Sequence, residues 1–299
     1  MDHDHYDFSP KVYRQNPFKE SSIGILGFVV LYLEHWEFLP EENWRRDPRW
    51  MGEFGSFFPD FRTWTQREYG LRVGIFRVIE ALEDAGIKPA IAANSAALKR
   101  LPNLVQRFNQ MGCEWIGHGV AINHMMHSKM SVEEQQKYIE DSLRAVEEFT
   151  GKTAKGWVSQ DWGSTTQTPN LLSKLGIKYT LDWPNDEQPY ILKNKSATKE
   201  GAVLSIPMSN EYDDVQCQWF RNLNASEFQT ICTDGLSYLS REWQTKGVQS
   251  IYGLGLHPWL CGMPNRIKYL KQTLNELKNN KDVRWVSPEH ILSEFTTHP

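Results

Sequence analysis

The run Ile23-Gly24-Ile25-Leu26-Gly27-Phe28-Val29-Val30-Leu31-Tyr32-Leu33 is continuously apolar, rich in β-branched residues, and stops at Glu34-His35. A strand without polar alternation is buried on both faces, as in a parallel sheet covered by helices. The run is too short to span a bilayer. Parallel strands need crossover helices, and the rest of the chain supplies them in alternation.

The pattern predicts a helix over Leu71–Ala85, with Val73, Phe76, Ile79 and Leu82 on its apolar face and Gly86 at its end. Strands follow at Pro89–Ala93, Glu114–Gly117, Gly156–Ser159, Ile177–Leu181, Ser250–Leu256 and Val283–Val286. Helices are expected at Leu101–Met111, Pro169–Leu175, Ala225–Gln244, Arg266–Asn279 and Pro288–Phe295. Another is opened by the capping box Ser131-Val132-Glu133-Glu134 and closed by Gly151. Pro189–Pro207 reads as a hairpin insertion. The aromatic, Pro-rich residues 36–66 read as a long ordered loop over the first strand's end. The expected fold is α/β: an N-terminal arm over 1–20, then a single-domain distorted or incomplete (β/α) barrel of about seven parallel strands over 21–299.

Composition narrows the function. Of 299 residues, 40% are hydrophobic and the net charge is −4, so no basic excess exists to hold a nucleic acid. Cys113, Cys217, Cys232 and Cys261 are scattered, which suits a reducing compartment rather than a disulfide scaffold. The N-terminus Met1-Asp2-His3-Asp4-His5-Tyr6 lacks the basic and apolar regions of a secretory signal. A cytoplasmic homo-oligomer that acts on a small molecule, with no membrane or nucleic-acid partner, is the expectation.

Chemistry in parallel α/β folds gathers beyond the C-terminal strand ends. There the sequence places Glu34 and His35, His118 with His124 and His127 nearby, Asp182 and its following loop, and His257. A carboxylate beside imidazoles can activate water and protonate a leaving nitrogen. Histidines with an acid can also hold Zn²⁺.

At these positions the chain resembles the polysaccharide deacetylase superfamily, and within it the branch of metal-independent allantoinases and cyclic imide hydrolases. The resemblance runs from about Ile23 to about Phe295. Its specific stretches include Leu33-Glu34-His35-Trp36-Glu37-Phe38, Arg67-Glu68-Tyr69-Gly70-Leu71-Arg72-Val73-Gly74, Gly117-His118-Gly119, Asp182-Trp183-Pro184-Asn185-Asp186-Glu187-Gln188-Pro189-Tyr190 and Leu256-His257-Pro258. The superfamily ends its first strand in two aspartates, a base and a metal ligand; Glu34-His35 stand in their place. Of its H-x-x-x-H metal pair, His118 matches the first position and Ile122 occupies the second.

The resemblance implies Glu34 as base or metal-holding carboxylate, His257 as general acid, and His35 and His118 as candidate metal ligands, with His124 or Glu34 as the third. A divalent ion such as zinc and metal-free hydrolysis both stay open. Trp183, Asn185, Asp186, Tyr69 and Arg72 are expected to bind substrate. The implied activity is hydrolysis of a C–N amide bond in a small cyclic imide or ureide. The alternative is removal of N-acetyl groups from amino sugars, which would call for the complete metal triad. A binding module without turnover is disfavoured by the presence of both Glu34 and His257.

Overall fold

The computed structural model describes residues 3–39, 59–193 and 201–296. Among these residues, nine strands form one curled sheet: β1 (Ile25–Leu33), β2 (Ala90–Ala93), β3 (Glu114–Gly117), β4 (Gly156–Trp157), β5 (Tyr179–Thr180), β6 (Tyr190–Leu192), β7 (Val203–Ser205), β8 (Ser250–Leu256) and β9 (Val283–Trp285). The order is β6-β7-β5-β4-β3-β2-β1-β8, with β9 also on β1. All pairings are parallel except β6 with β7. The sheet curls without closing through a regular ladder, which makes the incomplete α/β barrel that the alternation predicts. The hairpin contributes the additional parallel strand, because β7 pairs with β5.

Every residue of β1 is buried, but its two faces meet different surroundings. Ile25, Val29, Leu31 and Leu33 pack in the layer shared with the helices. Leu26, Phe28, Val30 and Tyr32 pack in the barrel interior. This is the two-residue alternation of a strand. In β8, Tyr252, Leu254 and Leu256 likewise join the outer layer, and Ile251 the inner one. Continued one step past each strand, the inward parity falls on Glu34 and on His257, and the outward parity on His35.

The long loop is shorter than expected. A helix begins at Phe61, with the Asp60 side chain accepting from the Thr63 N–H, and continues through a π-type widening at Gly70–Gly74 into Ile75–Ala85. The polar run F-R-T-W-T-Q-R-E-Y carries no clear apolar period, so its helicity rests on this cap and on packing. The widening adds a residue to the turn and rotates the face. Leu71, Ile75, Val78, Ile79 and Leu82 are buried, whereas Val73 and Phe76 face outward. Residues 40–58 of the expected loop lie outside the described residues. A short helix at Ser95–Arg100, capped by Asn94, lacked a long enough period to be read from sequence.

The widened turn lies against the segment after His257. A methyl on Gly70 would come within 2.5 Å of the Trp259 backbone nitrogen, and one on Gly74 within 2.2 Å of the Pro258 carbonyl oxygen. Gly74→Ala is therefore expected to destabilise the protein by about 1–3 kcal/mol through forced separation of the two backbones. Denaturant unfolding measures this, and an unchanged midpoint would show that the contact is not close.

Candidate active site

Glu34, just past β1, sits between two imidazoles. Its Oε1 is 3.0 Å from His118 Nε2, and its Oε2 is 3.9 Å from His257 Nε2. His118 follows β3 and turns Nδ1 to the Val158 carbonyl oxygen at 2.7 Å. A carbonyl only accepts, so Nδ1 carries a proton and Nε2 meets the carboxylate. Tyr32, inward on β1, stacks on His257 with ring centroids 4.1 Å apart and tilts toward His118.

His257 is held from behind by Asp214. Its Nδ1 is 2.7 Å from Asp214 Oδ1, and its backbone N–H donates to both Asp214 oxygens. This fixes the tautomer and turns Nε2 toward Glu34. Burial alone would lower the His257 pKa, but Asp213, Asp214 and Glu34 outweigh it and raise the value to about 9. The imidazolium therefore persists at neutral pH. Burial pushes Glu34 up, yet the hydrogen bond from His118 and the charges of His257, His118 and Arg67 hold it below the ordinary carboxylate value. An ionised carboxylate and a protonated imidazole coexist because each charge stabilises the other.

Asp213 accepts from the backbone N–H groups of Val215 and Gln216 through Oδ1, and burial raises its pKa. Gly255 makes room for it: a methyl there would lie 2.3 Å from Asp213 Oδ2. Arg67 is buried with its guanidinium 3.6 Å from the Trp259 ring centroid. Burial lowers its pKa to about 9, against the attraction of Glu34 and Asp214.

A small cleft lies over this cluster, with Tyr32, Ile122, Met125 and Trp162 among its walls. One wall is Gln160-Asp161-Trp162. Asp161 and Trp162 both have left-handed backbones, with φ of 49° and 52°. Each costs on the order of 1–3 kcal/mol for a side chain other than glycine. Asp182 secures the segment from both ends, accepting from the Ser159 N–H and hydroxyl and from the Ser164 hydroxyl. Gln216 Nε2 also donates to Asp161 Oδ1.

The structure brings Glu34, His118 and His257 together. It separates the other two metal candidates. His35 takes the outward parity and faces Glu68, 3.5 Å from Nδ1 to Oε1. His124 lies edge-on to Tyr138. Burial depresses both imidazoles to about 4.

Among the described residues, the single group with mutually close ligand atoms is Asp213, Asp214 and His257. It does not fit a divalent ion. The Asp214 oxygens already accept from His257, and His257 Nδ1 is committed to that bond. The buried Ile122 side chain in the cleft wall offers no ligand atom.

The expected substrate-binding residues also lie elsewhere. Trp183 packs against His5 and Tyr6 of the arm. Asn185 donates to the Tyr6 hydroxyl and accepts from the Tyr190 hydroxyl. Asp186 takes a two-pronged hydrogen bond from Arg14. Thus the 183–190 loop anchors the N-terminal arm, a partner that a loop's own composition cannot reveal. Tyr69 accepts from Arg77, and Arg72 is exposed. Arg67, Asp213 and Asp214 were missed. Arg67 was identifiable by helical spacing, because it shares a face with Gly70 and Gly74 while Arg72 does not.

The polysaccharide deacetylase family model matches residues 69–180. A Schizosaccharomyces pombe protein assigned to the polysaccharide deacetylases is 22% identical over 245 residues, 78% of this chain and 76% of that protein. The solved structure of PuuE allantoinase superposes with a TM-score of 0.80 at 20% identity, covering 91% of this chain and 90% of that one. A Pseudomonas aeruginosa PAO1 structure, described as a polysaccharide deacetylase, gives 0.78 at 20% identity, covering 91% of each. Among the described residues no helix is long and apolar enough to cross a membrane. The polysaccharide deacetylase pattern thus runs through the middle of the chain, and over most of its length the chain has the fold of these two solved structures.

Proposed function

We propose that the protein is a metal-independent hydrolase that opens the C–N bond of a small cyclic imide or ureide. The observation that carries this reading is Ile122, an apolar side chain in the cleft wall where a metal-dependent deacetylase pattern needs its second histidine. Removal of an acetyl group and opening of allantoin are both amide hydrolyses, so the named activities of the relatives share this bond type.

Water enters between Glu34 and the substrate carbonyl. Glu34 takes a proton as the water oxygen bonds to the carbonyl carbon. The C–N bond then breaks while His257 Nε2 gives its proton to the departing nitrogen. Asp214 supports the imidazolium beforehand. His118 orients Glu34, and Arg67 helps keep it ionised.

The test is a ring-opening assay with succinimide, maleimide, hydantoin, dihydrouracil and allantoin, after exhaustive dialysis against chelator. N-acetylglucosamine oligomers and acetate release form the second arm. Turnover of at least one ring, unchanged by chelator, is expected. Acetate release without ring opening, restored by zinc, would overturn the proposal in favour of a sugar deacetylase.

A further inference from the structure

Gln160 Oε1, Trp162 Nε1 and Asp213 Oδ2, buried polar atoms on residues lining the cleft, have no hydrogen-bond partner among the described residues. Buried polar atoms are nearly always paired, so a cluster at one cleft calls for a ligand. Their chemistry is defined. Gln160 Nε2 donates to the His118 carbonyl oxygen at 3.1 Å, which fixes the amide's orientation and leaves Oε1 as an acceptor. Trp162 Nε1 is only a donor.

The two residues are separated by Asp161 in the left-handed segment that Asp182 clamps. An acceptor and a donor two positions apart on one cleft wall complement a ligand edge carrying N–H beside C=O. A ring forces an amide to be cis, with N–H and C=O on one edge. An open-chain secondary amide, such as an N-acetyl group, is trans and places them on opposite sides.

We propose that Gln160 and Trp162 form the specificity pair of this cleft, accepting the ring N–H and donating to the adjacent carbonyl of a cis amide. This rests on the ring-hydrolase reading and narrows it to rings with a free N–H. Gln160 discriminates free from blocked nitrogen, and Trp162 supports the carbonyl whether or not the nitrogen is substituted. Both would bind the substrate directly.

The test is calorimetric binding of succinimide and N-methylsuccinimide to the full chain carrying Glu34→Gln, which removes the base, alongside turnover by the unsubstituted enzyme. Succinimide is expected to bind at least about tenfold more tightly than its N-methyl form. Gln160→Met on that background should bring the ratio within about twofold, because the acceptor is gone. The ratio is read inside one variant, so damage from losing the bond to the His118 carbonyl cancels.

Trp162→Phe should weaken both rings by about tenfold and leave the ratio intact. An unchanged ratio in Gln160→Met, a Trp162→Phe effect confined to one ring, or no binding of either ring would overturn the proposal. The two readings fail separately. Rings bound in this pattern but never opened would sink the hydrolase reading alone, while rings opened with a ratio indifferent to Gln160 would sink the specificity pair alone.

Discussion

Glu34→Gln is expected to lower kcat by about 10²–10⁴ on any ring the enzyme opens, the range lost when a positioned proton acceptor is removed. The amide keeps the shape of the carboxylate but cannot take a proton from water. Two imidazoles and Arg67 surround the position, so the neutral side chain also leaves buried positive charge without its counterpart. Some loss of stability accompanies the substitution. Glu34→Asp separates the effects. It keeps the charge, so the unfolding midpoint should return toward that of the natural protein. It withdraws the carboxylate by one methylene, so turnover should stay impaired. Circular dichroism melts and initial rates well below the melting midpoint measure both. A folded Glu34→Gln enzyme with near-natural turnover would remove Glu34 from the reaction.

The rule that places Glu34 is legible in the sequence. The apolar run announces a doubly buried strand, and the alternation along it decides that Glu34 turns in and His35 turns out. Adjacent residues on a strand end cannot both enter a cleft without a twist or bulge. His257 follows from the same counting in β8, where Gly253 and Gly255 vacate the inner face and Asp213 fills part of the space.

Asp213 and Asp214 lie just after the hairpin, on a segment with no long period, so their meeting with His257 emerges only from the closed fold. The arm is a similar case. Arg14 and Asp186 are 172 residues apart, and neither sequence neighbourhood names the other. The 183–190 loop has the polar composition of a binding loop because it does bind something, namely residues of its own chain.

His257→Gln should fold, bind ring substrates and lose turnover by about 10²–10⁴ where the leaving nitrogen is poor. Glutamine can still reach toward Asp214, but it has no proton to give at accessible pH. The loss should shrink as the leaving nitrogen becomes more acidic, because such a nitrogen departs with less protonation. A constant loss across leaving groups would mean that His257 positions water or substrate instead.

The pH profile gives an independent reading. Asp213, Asp214 and Glu34 face the imidazole, with the Tyr32 ring stacked on it, and they raise its pKa from the ordinary 6.5 to about 9. Activity should therefore fall on the alkaline side near pH 9, and that limb should be absent from the residual activity of His257→Gln. The same shift couples to stability. A group whose folded pKa lies above its unfolded one stabilises fully below the unfolded value, and its contribution declines as pH rises through the folded value. The natural protein should thus lose stability between about pH 6.5 and 9, and the variant should lack that decline. An alkaline limb that survives the substitution would assign it to another group and leave His257 without its role as acid.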